Sequence, residues 1–188
     1  LPDGEKSLGW WSPNPRGVLR PTEVHISRSM QRSLRRFEFS VDRAFTEVVA
    51  ACADPRRPRA WIDSGFVAAY GRLHELGWAH SVEVWSSEGL GTRSLVGGLF
   101  GIQSGGLFAA ESKFHHQTDA SKAAVVHLCQ RLTSDRHGEQ RIIDVQWATS
   151  HLETLGVQPI ARQTYLGLLP RVLAVPRANL GFDLETQP

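Results

Sequence analysis

Apolar side chains and paired glycines fill the stretch from residue 94 to residue 115. Gln103-Ser104-Gly105-Gly106 interrupts it with the composition of a tight turn. The pattern predicts two buried strands joined by a hairpin, rather than a phosphate-binding loop, because no helix and no Lys-Ser/Thr pair follows the glycines. Polar groups return only near the end, at Glu111, Ser112 and Lys113. The Glu111 carboxylate, near the end of a buried hairpin, is therefore a candidate functional-site residue.

Elsewhere the spacing of apolar residues is mostly that of amphipathic helices. Residues 40–54 repeat apolar positions every three or four residues, with Ser40 as a candidate N-cap. Further helices are predicted from Asp63 or Ser64 to Gly77, within 118–132, at Ser150–Glu153 through a capping box, and within 161–170, where Pro170 is expected to end the helix.

Alternation of polar and apolar residues predicts strands at 80–87 and 141–149. In the second of these, Asp144 and Gln146 lie two residues apart and therefore share a face. Residues 8–21, rich in tryptophan and proline, predict an ordered loop or a short strand. Strands and helices in mixed order predict an α/β (α+β) fold of one sheet flanked by helices.

Length and composition limit the number of domains and the class of protein. The 188 residues, of which 41% are hydrophobic, suit one domain with at most a small appendage. No apolar run reaches the roughly 18 residues of a membrane span, and the first residues lack the layout of a secretory signal. Cys52 and Cys129 have no metal or redox spacing. We expect buried, reduced thiols and a cytoplasmic protein without a membrane partner.

The distribution of charge is more informative than its sum. A net charge of +2 and a pI of about 8.8 neither require nor exclude a polyanionic partner. Basic residues nevertheless fall at helical spacings on one predicted face, at Arg28, Arg32, Arg35 and Arg36. Such a face fits phosphate binding and fits an ordinary solvated helix equally well.

Two carboxylates stand out against apolar surroundings. Glu111 and Asp144 lie at or near strand ends, where burying an unpaired charge is costly, so a function is favoured. The structural alternatives are that Glu111 pairs with Lys113 on one strand face and that Asp144 bridges a loop. Gln146 beside Asp144 strengthens the functional interpretation. Eight histidines without metal spacing and the lack of G-x-S-x-G argue against metal and covalent catalysis.

Several segments, in order along nearly the whole chain, resemble the leucyl/phenylalanyl-tRNA protein transferases. They are WWSPNPRGVL, HISRSM, AYGRLHELGWAHSVEVW, LVGGLFGIQSGGLFAAESKF, DASKAA, IDVQ and ARQTYL. The resemblance implies a core like the GCN5-related acetyltransferases over residues 37–188. It also implies an appendage over residues 1–36, interpreted as the remnant of a longer N-terminal domain of which this sequence contains almost nothing.

The resemblance also implies roles for individual residues. Glu111 matches the glutamate near the aminoacyl group, and Asp144 with Gln146 matches the proposed catalytic pair. Trp61 corresponds to the position whose side chain, in the family, stacks on the terminal adenosine of the tRNA. Lys113 corresponds to a position at which the family has an apolar residue. The positions that line the family's apolar pocket correspond to Leu99, Phe108, Leu128 and Ile143.

The leading hypothesis is therefore transfer of leucine or phenylalanine from aminoacyl-tRNA to an amine, without metal or nucleotide cofactor. The implied acceptor is a protein N-terminus bearing Arg or Lys, and the arginine-rich helix is expected to bind the tRNA. Three alternatives stay open at this point. They are acylation of a small amine in a biosynthetic pathway, acyl-CoA-dependent N-acyl transfer, and a non-catalytic RNA-binding module.

Overall fold

The computed structural model describes residues 9, 11–58, 60–88 and 92–180. In this part of the chain, seven strands form one sheet. Their bounds are β1 Arg16–Leu19, β2 Glu38–Val41, β3 Ala79–Glu88, β4 Thr92–Ser104, β5 Leu107–His115, β6 Ile142–Gln146 and β7 Gln158–Ile160. The order across the sheet is β2-β3-β4-β5-β6-β1-β7.

One parallel pair interrupts an otherwise antiparallel sheet. β5 and β6 run parallel, while the other neighbouring strands pair antiparallel. A parallel pair needs a crossover, and a helix between β5 and β6 supplies it. The described helices are α1 Arg28–Leu34, α2 Phe45–Cys52, α3 Ser64–Glu75, α4 Ala120–Leu132, α5 Ser150–Glu153 and α6 Arg162–Leu173, and short 3-10 turns lie at Pro21–Glu23 and Gly138–Gln140.

Helices cover the two faces of the sheet with separate cores. On one face α4 packs its apolar side chains against Leu99, Phe108 and Ile143. On the other, α2 and α3 pack against Phe100 and Phe114. The crossover helix approaches the sheet closely at Gly97, where a Cβ atom would lie 2.6 Å from that of Ala120. Only glycine permits this approach.

The predicted mixed α and β architecture is confirmed, as is the hairpin. β4 and β5 are joined through Gly105 and Gly106, and residues 16–19 form the short strand allowed for residues 8–21. Cys52 and Cys129 are buried free thiols, as expected. Residues 1–8, 10, 59, 89–91 and 181–188 lie outside the described residues. The division at residue 36 remains a prediction, and β1 lies within the common sheet.

Three predicted helix ends were wrong. Ser40 is not an N-cap but part of β2, because its hydroxyl donates to the buried Glu83 and accepts from Trp85; the helix begins at Phe45.

The other two errors concern the last helices. The N-cap of α5 is Thr149 rather than Ser150, since the Thr149 side chain accepts from the Leu152 N–H. α6 continues past Pro170 to Leu173, and its last turn is held by a hydrogen bond from the Gly106 N–H to the Val172 carbonyl, at 2.8 Å.

Candidate active site

The parallel strands β5 and β6 separate towards their carboxyl ends. Their last backbone pair joins Ala109 to Asp144, whereas β5 runs on to His115 and β6 to Gln146. The sheet is therefore open beyond this pair, and we call the gap the β5/β6 opening. Gaps at the carboxyl ends of parallel strands are frequent ligand sites.

Asp144 borders the β5/β6 opening with a fully occupied carboxylate. Arg16 donates from Nε to both oxygens, at 2.9 and 3.1 Å, and from Nη2 to Oδ2 at 2.6 Å. The Tyr165 hydroxyl donates at 2.7 Å and the Gln146 N–H at 2.9 Å. Asp144 is only 1% exposed. Since each oxygen accepts at least two hydrogen bonds, the carboxylate is an anchor rather than a free base.

Strand pairing brings Arg16 to Asp144. Val18 of β1 faces Asp144 of β6, and a bulge at Gly17 shifts the register just beyond this pair. A Cβ atom on Gly17 would lie 2.6 Å from the backbone nitrogen of Ala148. Glycine thus allows the backbone of residues 147–148, which leaves β6, to approach β1 closely. The pairing of β1 with β6 brings the carboxylate and its cation together.

Arg16 is held on two sides. Its guanidinium lies over the Tyr165 ring, 4.9 Å from the ring centre, in addition to its pairing with Asp144. Burial lowers the pKa of Arg16, but the hydrogen bonds and charge of Asp144 outweigh it and the pKa is raised. Burial and Asp144 both raise the pKa of the Tyr165 hydroxyl. Tyr165 therefore remains a hydrogen-bond donor.

Gln146 ends β6 in a conformation unusual for its residue type. Its φ is +60°, in the left-handed region that favours glycine. The Asp144 carboxylate holds the backbone N–H of Gln146, and the side-chain amide donates to the Asp144 carbonyl at 3.3 Å. The side-chain oxygen accepts no hydrogen bond from the described residues. Asp144 thus fixes the backbone of Gln146 and leaves an amide oxygen available.

Glu111 faces the β5/β6 opening from the other strand. It is the extra residue of a bulge, because Ala110 pairs with Gly101 and Ser112 with Phe100. The Tyr70 hydroxyl of α3 donates to it at 3.1 Å. Burial raises the pKa of Glu111; Tyr70 and Arg16 oppose this shift and the charge of Asp144 adds to it. Glu111 and Asp144 therefore belong to one electrostatic site.

Trp61 is linked to Glu111 through an aromatic cluster. Its ring lies edge-on to Phe66 at 5.1 Å and to Tyr70 at 6.4 Å between ring centres. Trp61 is 45% exposed, while burial and the charge of Glu111 raise the pKa of Tyr70. The cluster offers an exposed ring face next to a fixed hydroxyl.

The predicted pocket residues are brought together on the α4 face. Leu99, Phe108, Leu128 and Ile143 are all at most 1% exposed and share one core. Lys113 pairs with Leu99 in the hairpin, whereas Glu111 contacts α3 on the opposite face. Among the described residues no ion pair joins Lys113 to Glu111. The β5 bulge explains this, because it changes the alternation between the two.

Lys113 is a half-buried cation that has no ion-pair partner among the described residues. Burial lowers the pKa of its ammonium, as does the charge of Arg57, and within the described ranges no acceptor contacts it. Arg57 instead donates to the Lys113 carbonyl at 2.6 Å. Its free ammonium distinguishes it from the other predicted pocket residues.

The predicted basic residues are exposed on and just after α1. Arg28 and Arg32 lie on α1, Arg35 caps its end and Arg36 follows. Ser33 of α1 donates to Asp119, just before α4, at 2.7 Å. The arginines thus stand on a helix docked beside the crossover helix.

Two general features bear on the site. Within the described ranges, no three His, Cys, Asp or Glu side chains come close enough together to hold a metal ion. Of the same residues, none belongs to a helix both long and apolar enough to cross a membrane.

The similarity to known proteins extends over most of the chain. The family model for leucyl/phenylalanyl-tRNA protein transferase matches residues 18–170. The chain belongs to this family. A transferase of this name from Tolumonas auensis is 48% identical over 167 residues, covering 87% of the chain and 68% of the relative. One from Syntrophobacter fumaroxidans is 50% identical over 165 residues, covering 85% and 67%.

A relative of the same name from Oleidesulfovibrio alaskensis is 42% identical over 179 residues, covering 93% of the chain and 71% of the relative. A solved structure, a conserved protein of unknown function from Bacteroides thetaiotaomicron, has a TM-score of 0.48 at 9% identity, covering 88% of this chain and 58% of that one. That likeness supports no conclusion about the fold.

Sequence reasoning missed two residues that contact Asp144 in the candidate site, Arg16 and Tyr165. Arg16 lies in the segment WWSPNPRGVL, two residues before the span that matches the family model. Tyr165 lies in ARQTYL, on a predicted helix. Both segments carry the family resemblance, but neither residue was assigned a role. A buried aspartate implies a cation somewhere in the fold, which is the one signal that could have prompted a search for Arg16.

Proposed function

We propose that this chain transfers leucine or phenylalanine from aminoacyl-tRNA to the amine of an acceptor protein. Family membership supports the reaction, and one observation supports the site. At the β5/β6 opening, a fully anchored Asp144 holds Gln146 at positive φ, opposite the weakly anchored Glu111. The implied core is that of the GCN5-related acetyltransferases. A parallel pair that separates around a crossover helix supports that assignment.

The reaction is aminolysis of an ester. The nitrogen lone pair attacks the ester carbonyl carbon, a C–N bond forms, and the C–O bond to the ribose breaks. The ribose oxygen keeps the electron pair and takes up the proton that the nitrogen loses. Protein α-amino groups have pKa values of about 8, so a sizeable fraction of acceptor is already neutral near pH 7. The enzyme therefore chiefly has to orient the reactants, which alone can lower a barrier by roughly 7 to 11 kcal/mol.

Gln146 is the residue best suited to orient the amine. Its free amide oxygen can accept a hydrogen bond from the attacking nitrogen, and its backbone cannot turn while Asp144 holds the N–H. Asp144 acts through Gln146 and is a positioning residue. Glu111 can hold an ammonium, of either the aminoacyl group or the acceptor, in this partly desolvated place.

The tRNA would approach from the side of α1. Exposed arginines on and just after this helix suit the phosphate backbone, and Trp61 offers an exposed ring for the terminal adenine. The buried cluster of Leu99, Phe108 and Ile143 suits the apolar side chain of leucine or phenylalanine.

The decisive experiment measures transfer from leucyl-, phenylalanyl- and other aminoacyl-tRNAs to peptides that begin with Arg or Lys. Wild type is expected to form the new amide bond with leucine and phenylalanine. Gln146→Ala should slow the chemical step by about 10²- to 10⁴-fold, as when a positioned proton transfer is removed, with tRNA affinity kept. Gln130→Ala, at an exposed glutamine of α4, is the matched control.

Three outcomes would contradict the proposal. Equal rates for Gln146→Ala and wild type would remove Gln146 from the mechanism. Transfer only to small amines would replace the protein acceptor by a small molecule. No transfer from any charged tRNA, with acyl transfer from an acyl-CoA instead, would leave only the fold.

The tRNA surface has its own test. Arg32→Gln with Arg35→Gln should weaken tRNA binding and flatten the slope of log affinity against log salt by about 0.7 to 0.9 for each phosphate that the protein no longer neutralises. Arg56→Gln with Arg72→Gln is the control for an equal loss of charge. An unchanged slope in the first double variant would place the tRNA elsewhere.

A further inference from the structure

A cavity of about 470 Å³ lies where α1, α4 and the end of α5 meet. This volume falls in the range of small-ligand sites. Its lining is rich in hydroxyl and charged groups and includes His25, Ser27, Ser29, Asp119, Lys122 and Thr154. None of these six residues belongs to the proposed tRNA surface or borders the β5/β6 opening.

Lys122 gives the cavity a cation with spare hydrogen-bonding capacity. Its ammonium donates to the Thr154 hydroxyl at 2.9 Å, and within the described ranges it forms no ion pair. An ammonium has three donors, so two remain. The Asp119 carboxylate accepts a hydrogen bond from the Ser33 hydroxyl through Oδ2, and no donor from the described residues contacts its other oxygen. The cavity therefore offers both a cation and a hydroxyl acceptor.

The cavity lies between the proposed tRNA helix and the proposed reaction site. On one side, Ser27 is the N-cap of α1, directly before Arg28. On the other, Thr154 donates to the carbonyl of His151 at 2.8 Å. The pKa of His151 is lowered by burial and by the charges of Lys122, Lys113 and His115. The lysines Lys122, at the cavity, and Lys113, near the end of β5, thus both act on His151 and lie on the same side of the molecule.

We infer that this cavity holds the ribose-phosphate of a nucleotide in the single-stranded 3′ end of the tRNA. The inference rests on the proposed function. The Lys122 ammonium and the His25 ring suit the phosphate, while the Asp119 carboxylate and the serine hydroxyls suit the ribose hydroxyls. The strand would bridge α1 and the β5/β6 opening.

Charge favours RNA over the acceptor protein as occupant. The acceptor brings an ammonium, and a basic N-terminal side chain in addition, towards the site. The Lys122 ammonium, with two unused donors, would repel those groups but attract a phosphodiester. The Asp119 carboxylate already accepts a hydrogen bond from Ser33.

Three donors of increasing length test the inference. Aminoacyl-adenosine has no phosphate, a 3′-aminoacylated trinucleotide is long enough for the cavity but not for the arginines of α1, and aminoacyl-tRNA is long enough for both. For Lys122→Met we expect KM to rise several-fold with the trinucleotide and with the tRNA, and to stay unchanged with aminoacyl-adenosine. The salt slope for the trinucleotide should fall by about 0.7. Lys122→Arg should restore binding, and Arg72→Gln, on the opposite face of the sheet, should change nothing.

The outcomes separate the two proposals. An equal rise in KM for all three donors would mean a local structural role for Lys122 and overturn the inference. A change only in KM for the acceptor peptide would assign the cavity to the acceptor. If wild type transfers from no donor, the proposed function fails, and direct titration of the trinucleotide with wild type and Lys122→Met still decides whether the cavity binds nucleotides.

Discussion

Asp144 and Glu111 border the same opening, yet the two sides of the sheet hold them differently. On the β6 side, Asp144 is buried and accepts hydrogen bonds from Arg16, Tyr165 and Gln146. On the β5 side, Glu111 is half-buried and accepts one hydrogen bond, from Tyr70. Asp144 has a cation in contact, and Glu111 has none in the part of the chain described.

This difference in hydrogen bonding indicates that Asp144 supports a neighbouring residue, whereas Glu111 is available to bind substrate. A carboxylate with all its lone pairs occupied can fix a neighbour but cannot receive a substrate. A carboxylate with one donor and a raised pKa keeps room for an ammonium. The β1–β6 side is therefore interpreted as the rigid support of Gln146, and the β5–α3 side as the part that meets the substrate.

The largest expected effect comes from Asp144→Asn. This change leaves the Arg16 guanidinium, whose side chain is 14% exposed, beside a neutral amide. Loss of one partner of a buried pair costs about 3 kcal/mol. We expect urea unfolding to show a loss of this size, together with slowed transfer. Asp144→Asn with Arg16→Met should recover part of the stability but not the transfer rate; a stable single variant would refute the anchoring role.

The two tyrosines provide a matched pair of smaller changes. Tyr165→Phe and Tyr70→Phe each remove one hydroxyl and should each cost about 1 kcal/mol in urea unfolding. They should differ in their effect on the pKa of Glu111, because Tyr70, and not Tyr165, donates to this carboxylate and lowers its pKa. Carboxylate NMR titration should show the pKa of Glu111 rising further in Tyr70→Phe and staying unchanged in Tyr165→Phe. A similar shift in both would end the distinction between the two sides.

Much of the fold was predictable because its signals are local. The hairpin of β4 and β5 has its turn residues in place. α3 begins after the Asp63 cap as expected, since the aspartate side chain accepts from the Phe66 N–H. Glu111 and Asp144 were recognisable as isolated carboxylates in apolar strands.

The rest depends on contacts between distant segments. Arg16 and Asp144 are 128 positions apart and meet only through the pairing of β1 with β6. Ser40 lies in a helical pattern, but the buried Glu83 draws it into the sheet. The β5 bulge, which parts Lys113 from Glu111, depends on backbone pairing with β4 that no local pattern marks.

The pH dependence of stability tests Glu111 directly. Its folded pKa is raised above the ordinary value of 4.5, so the folded state binds the proton more tightly than the unfolded state. The contribution of Glu111 to stability is therefore present below pH 4.5 and declines as pH rises through the raised pKa. Relative to Glu111→Gln, the unfolding free energy of wild type should fall across this window, by under about 1 kcal/mol for a half-buried group. A flat difference would mean that Glu111 is not perturbed.

The smallest effect is expected at Lys113, the cation that does not neutralise Glu111. Lys113→Met removes an unpaired, half-buried ammonium and should raise the unfolding free energy near pH 7 by about 0.5 kcal/mol. Because burial lowers the folded pKa of Lys113, wild type should regain stability relative to the variant as pH rises towards the ordinary value of 10.5. The pKa of Glu111 should stay unchanged, since the two side chains lie on opposite faces of β5. Transfer from a panel of charged tRNAs completes the test. Because Lys113 lies beside Leu99, Lys113→Met should shift the amino-acid preference towards apolar side chains. An unchanged preference together with a shifted Glu111 pKa would instead place the Lys113 side chain on the same face of β5 as Glu111.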